Sequence, residues 1–171
     1  QHQLESIETS QEIGAELAAI KSLAHEWESH PSRNKRINRQ IRRALSEAGL
    51  TSGRVLEIGA RKRPRLDVFP IPDWEYSVMD IADVTADVPV VIGDITSGPG
   101  VPGACVNVVS SVDVFGHING AWSAASGISR ILRPGGISYT STLFSWRYHP
   151  VPIDYWRYTP ACLEFLFDDL D

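Results

Sequence analysis

This 171-residue chain is poor in three things: long apolar runs, cysteine and net positive charge. No apolar run approaches the roughly 20 residues that a membrane-spanning helix needs, so no membrane partner is expected. No charged-then-apolar leader opens the sequence. The two cysteines, Cys105 and Cys162, have no closely spaced partner, which speaks against a disulfide framework or a zinc site. Free thiols in a reducing cytoplasm are the expectation. A net charge of −5 argues against a nucleic-acid partner and suits a neutral or cationic small ligand. What is present is ordinary for a globular protein: 43% hydrophobic and 22% charged residues, enough for one domain with a real core.

Charge is spread unevenly. Glu5, Glu8, Glu12, Glu16, Glu26 and Glu28 stand against a single Lys21 in residues 1–28, whereas RNKRINRQIRR, residues 33–43, holds six basic residues and no acid. Ile37, Ile41 and Leu45 recur every four residues through this stretch. It therefore reads as a helix with a buried stripe and a solvated basic face. That helix is expected from about Ile37 to Ala48, closed by Gly49. An earlier one, residues 11–29, carries Ile13, Leu17, Ile20, Ala24 and Trp27 on one seam, and His30-Pro31 ends it. Residues 1–50 thus read as an N-terminal helical segment whose seam could join two copies in a homo-oligomer. Residues 51–171 read as a separate domain.

From residue 54 short apolar runs alternate with longer stretches. RVLEI (54–58), EYSVMD (75–80), PVVIGD (89–94), ACVNVVSS (104–111) and GGISYTST (135–142) are apolar and β-branched at most positions without strict alternation. That pattern suits strands covered on both faces, as in a parallel sheet. Between the last two lies a helical spacing of Trp122, Ala125, Ile128, Ile131 and Leu132. The fold class is therefore α/β, a Rossmann-like doubly wound and mostly parallel sheet with N-terminal helices. The links after the second and third strands are too short for full helical crossovers. Ligands bind such sheets at the carboxyl ends of the strands. Three acids stand there on three successive strands: Glu57, Asp80 and Asp94.

A carboxylate at the end of a second strand can accept from both hydroxyls of a ribose. Asp80, 23 residues after Glu57, is near the spacing expected for that role. Dinucleotide enzymes pair this acid with a glycine-rich loop on which the pyrophosphate sits. Here the loop reads Gly59-Ala60-Arg61-Lys62-Arg63-Pro64, with one glycine, and Glu57 would repel a pyrophosphate. A cofactor without phosphate and with a cationic end meets both objections. S-adenosyl-L-methionine is such a molecule.

The ordered segments VLEIGA, YSVMD, IGDI, CVNVVSSVDVFGHI and SRILRPGG resemble the motifs of class I S-adenosylmethionine-dependent methyltransferases, over about residues 52–167. Tyr148 to Phe167, YHPVPIDYWRYTPACLEFLF, is similar to a His…Asp-Tyr-Trp-Arg-Tyr-Thr segment in a subset of these enzymes, some of them in glycan-related settings. The resemblance implies that Glu57 and the Gly59-Ala60 backbone, with Arg61 beside them, hold the methionine part of the cofactor. It implies ribose binding by Asp80 and Ile81, adenine binding by Asp94 and Ile95, and a floor under the sulfonium made by Ser110 and Ser111. Asp80 and Asp94 also read as caps of nearby turns. The sequence departs from the family at Asn107 and Gly116, where many members carry acids. Only Leu163 to Asp171 follow the last expected helix start, so two C-terminal strands of the family are expected to be missing.

Methyl transfer needs positioning and a base for the acceptor's proton. His149 and His117 each follow a strand at the carboxyl edge and are the candidate bases. Asp113, His117 and His149 offer a metal reading, but with Gly116 in place of an acid no metal is expected. Asp154, Tyr155, Trp156 and Arg157 are the candidate acceptor-binding residues, through aromatic stacking and a bidentate guanidinium. The structural alternative pairs Asp154 with Arg157, packs Trp156 in the core and starts a helix at Thr159-Pro160. The functional expectation is methyl transfer to a small-molecule or glycan acceptor. The rival is a degenerate domain of the same fold that binds or assembles without turnover.

Overall fold

The computed structural model describes residues 13–21, 31–59, 64–98 and 100–170. The chain divides into two compact units, Gln1–Ile37 and Asn38–Asp171. In the first, residues 13–21 are helical (α1). Ile13, Leu17 and Ile20 of the expected seam are all exposed, at 60%, 51% and 61%. Ala24 and Trp27 lie outside the described residues. The helix α2, Arg33–Glu47, starts four residues before the position read from its apolar stripe. Ser32 explains the earlier start. Its hydroxyl accepts from Lys35 N–H (3.4 Å) and its carbonyl from Arg36 N–H (3.0 Å). Gly49, at φ +66, closes the helix as expected, with Leu50 N–H returning to the Leu45 carbonyl at 2.9 Å.

The second unit is built on five strands: β1 Gly53–Ile58, β2 Trp74–Asp80, β3 Val90–Ile92, β4 Val106–Val112 and β5 Leu132–Ser141. Their order is β3-β2-β1-β4-β5 and every pairing is parallel. This is the doubly wound arrangement expected from strands such as Val55–Ile58, buried at every position. Among the described residues the links from β1 to β4 carry no helix, and the helical crossover is α3, Ala121–Ile131, between β4 and β5. A last helix, α4, Pro160–Leu166, has Thr159 as its N-cap, whose hydroxyl accepts from Cys162 N–H at 3.1 Å. The Thr159-Pro160 signal was sufficient to place it.

Leu56, Ile58, Met79 and Val109 meet Ala124, Ile128 and Ile131 of α3 in the main core. Each large apolar side chain buried there contributes about 1.5–3 kcal/mol. Ala125, Ile128, Ile131 and Leu132 are buried as expected, and Trp122 is the exception. Trp122 is 57% exposed, and Ala121 and Ala124 take the inner positions. At Gly127 the helix comes so close that a Cβ would stand 2.1 Å from the Ile95 carbonyl oxygen, so that position admits only glycine. Alternate residues of β2 point the other way. There Trp74 and Tyr76 pack on Phe69, with ring centroids 5.2 and 5.8 Å apart. Among the described residues no helix is long and apolar enough to cross a membrane.

Candidate functional site

The strand order reverses between β1 and β4, and a cavity of about 510 Å³ opens over the carboxyl ends of the strands around that point. Its volume suits a small molecule. Gly59, Asp80, Ile81, Asp94 and Ile95 line the floor, and His117 and Tyr155 line the opposite side. These seven were all singled out in the sequence. Glu57, Ser111, His149, Asp154, Trp156 and Arg157 do not line the cavity, and Ala60 and Arg61 lie outside the described residues.

Gly59 follows β1 at φ +74, and its N–H donates to the Met79 carbonyl at 2.8 Å. A Cβ there would meet Val114 Cγ2 at 2.5 Å, so both conformation and space require glycine. Asp80 ends β2 almost fully buried, and its Oδ1 accepts from Ala82 N–H at 3.3 Å. Ile81, next in the chain, is 66% exposed on the cavity lip. Asp94 caps a turn: its Oδ1 accepts from the N–H and the hydroxyl of Thr96, both at 2.8 Å. Ile95 is buried in the core beneath it. Asp113, at the end of β4, lines the cavity with φ 60, a left-handed conformation that aspartate tolerates.

Glu57 points elsewhere. Its Oε2 accepts from the Tyr76 hydroxyl, and its Oε1 lies 3.3 Å from Arg65 Nε in an ion pair. Burial pushes its carboxyl up to about 7, even though the Arg65 charge pulls the other way. Arg65 also donates from Nη1 to Asn38 Oδ1 at 2.8 Å, and its N–H donates to the Tyr76 hydroxyl at 3.0 Å. Ser110 and Ser111 are fully buried on β4, and neither hydroxyl has a protein partner among the described residues.

The far wall is a strap, residues 142–158, laid over the turn after β4. That turn is a short 3-10 helix, Phe115–His117. Its Gly116 carbonyl accepts from Tyr155 N–H (2.8 Å) and Trp156 N–H (3.3 Å), and its Phe115 carbonyl accepts from the Tyr158 hydroxyl (3.1 Å). A Cβ on Gly116 would touch the Trp156 carbonyl at 3.4 Å. The position that lacks the family's acid is thus the anchor of the strap. Burial raises the Tyr158 hydroxyl to about 12. Asp154 braces the strap from within. It accepts from both Nη atoms of Arg157 and from His149 N–H (2.7 Å). Hydrogen bonds from Arg157, then from His149 N–H, hold its carboxyl well below the usual carboxylate range. Arg157 Nη2 reaches the Arg147 carbonyl at 3.1 Å as well. Trp156 is not in the core: it is 39% exposed and meets Trp122 edge to face at 6.3 Å.

His117 Nδ1 lies 2.5 Å from the Ile153 carbonyl oxygen. A carbonyl only accepts, so Nδ1 carries a proton, and the neutral tautomer with that proton has its lone pair on Nε2. The His149 ring stands 5.5 Å away. Among the described residues no group of three potential ligands, Asp113, His117 and His149 included, is gathered for a metal ion. Thr96, Asn119, Val151 and Ile153 also line the cavity, and nothing in their spacing singled them out. Asn107, the other departure from the family, accepts from Arg54 N–H at 3.0 Å and ties the start of β1 to β4.

No protein-family model matches the sequence, and no curated protein matches it. Solved structures resemble the fold. An S-adenosylmethionine-dependent methyltransferase from Archaeoglobus fulgidus aligns at 15% identity and TM-score 0.54, over 78% of this chain and 68% of its own. The CurJ carbon methyltransferase aligns at 17% and 0.54, over 69% and 41%. The [4+2]-cyclase SpnF aligns at 16% and 0.58, over 76% and 55%. The chain therefore spans about half the length of two of these proteins. It has the Rossmann-like fold of class I S-adenosylmethionine-dependent methyltransferases, a fold that also carries a cyclase.

Proposed function

We propose that this domain binds S-adenosyl-L-methionine and transfers its methyl group to a small-molecule or glycan acceptor. The observation that carries the reading is the convergence of Gly59, Asp80, Ile81 and Asp94 on one cavity at the strand-order reversal. The residues fit such a group. A buried carboxylate, Asp80, suits a diol, and the exposed Ile81 offers an apolar face to a purine. Asp94 would accept from an exocyclic amine. Three acids around one cavity favour a cationic end over a phosphate.

When bound, this cofactor supplies a methyl carbon already activated by a sulfonium. The chain's part is to hold the acceptor and take its proton. Nε2 of His117 is the better-placed base, since it lines the cavity and its tautomer is fixed by Ile153. His149 would act through His117, at 5.5 Å between rings. Calorimetry with S-adenosyl-L-homocysteine tests the cofactor reading: saturable heat is expected, and none at high micromolar ligand from a folded sample would sink it. One observation favours the rival reading, binding without turnover: Glu57 already satisfies Tyr76 and Arg65. A cytoplasmic setting accords with the unpaired Cys105 and Cys162.

A further inference from the structure

We propose that the strap selects a neutral, flat and largely apolar acceptor bearing one ionisable O–H or N–H group, and rejects anionic and carbohydrate acceptors. This rests on the methyl-transfer reading of the same cleft, keeps its small-molecule acceptor and sets aside its glycan acceptor. Val151, Ile153 and Tyr155 line the cavity, yet they are 69%, 52% and 44% exposed. Apolar side chains left open to water on a cavity wall gain about 25 cal/mol for each Å² that an apolar ligand covers. A sugar would bring several hydroxyls to the strap side of the cavity, where Val151, Pro152 and Ile153 offer no side-chain partner, and each unpaired group carries a desolvation cost.

Charge points the same way. Asp80, Asp94 and Asp113 line the cavity, and among the described residues no lysine or arginine does. A carboxylate or phosphate acceptor would meet like charge there, with no cation among the described lining residues. Arg157, the residue whose fork could have supplied one, is turned onto Asp154 and the carbonyls of Arg147 and Trp156. One polar group beside the strap is held in a single orientation, His117. Its Nδ1–H donates to the strap carbonyl of Ile153, which leaves an acceptor at Nε2. An acceptor at Nε2 calls for a donor on the ligand, and an ionisable O–H or N–H supplies one.

The test uses three probes on the whole chain by calorimetry at pH 7, with and without S-adenosyl-L-homocysteine: 2-naphthol, 2-naphthoate and methyl glucoside. Phenols titrate near pH 10, so 2-naphthol is neutral there, and 2-naphthoate has the same ring as an anion. Naphthol is expected to bind at least about tenfold more tightly than either other probe. I153S and Y155A should each weaken it by roughly threefold to tenfold. Both side chains are largely exposed, so the variants keep the fold, which circular dichroism checks. Naphthoate or methyl glucoside binding as tightly as naphthol would overturn the proposal. So would S-adenosyl-L-homocysteine binding with no naphthol binding, or naphthol affinity untouched by both substitutions. Naphthol selectivity without S-adenosyl-L-homocysteine binding supports the strap's role and sinks the methyl-transfer reading instead.

Discussion

The sheet and the strap each hold a carboxylate beside an arginine, and the two carboxylates respond in opposite directions. In the sheet, Glu57 is buried near the end of β1, and desolvation outweighs Arg65, so the acid is pushed up to about 7. On the strap, Asp154 takes two guanidinium bonds and a backbone N–H, and it is held well below the usual range. The same pairing is a poised acid in one place and a permanently ionised brace in the other. The difference is the number of hydrogen bonds that the carboxylate accepts, not residue type. The floor is rigid through sheet packing, whereas the strap is rigid through polar bonds to one turn.

The largest expected effect separates the two acids by pH. A carboxyl raised in the folded state favours folding below its unfolded pKa, and that advantage is lost as pH rises through the folded value. Between about 4.5 and 7, wild type should lose about 3 kcal/mol of stability relative to Glu57→Gln. Urea unfolding at pH 5 and pH 8 measures it, and parallel pH dependence in both proteins would break the contrast. Next, Asp80→Ala should weaken S-adenosyl-L-homocysteine about hundredfold, two charge-assisted bonds at about 1.5 kcal/mol each, with little change in unfolding midpoint. Asn38→Ala removes one support of Arg65 and should cost about 1 kcal/mol of stability by the same urea titration. The smallest change is expected from Asp154→Ala. Amide exchange at Tyr155 and Trp156 should speed up severalfold while β1 and β4 amides stay protected. Faster exchange in the sheet as well would mean that the strap is not a separate unit.

The sequence made the floor legible and the strap only in part. Runs such as Val55–Ile58 announce strands covered on both faces, and the acids at their ends are a matter of chain position alone. Thr159-Pro160 placed α4 because capping is local chemistry. Contacts across the fold left no such mark. Nothing in VLEIG foretells that Arg65, eight residues on, returns to Glu57. Gly116 looked like a missing acid, but its carbonyl and bare Cα seat the strap. Trp122 fell on the expected seam of α3, yet it stands exposed while Ala125, Ile128 and Ile131 of that seam face inward. The tautomer of His117 depends on Ile153, a residue with no signal of its own.

The central claim is that the floor, through Asp80, receives the ribose of an adenosyl cofactor. A crystal of the whole chain grown with saturating S-adenosyl-L-homocysteine tests it most directly. The account predicts ribose density against the Asp80 carboxylate, with the adenine between Ile81 and Asp94. Density for the ligand elsewhere, or a cleft filled only by solvent at saturating ligand, would contradict it.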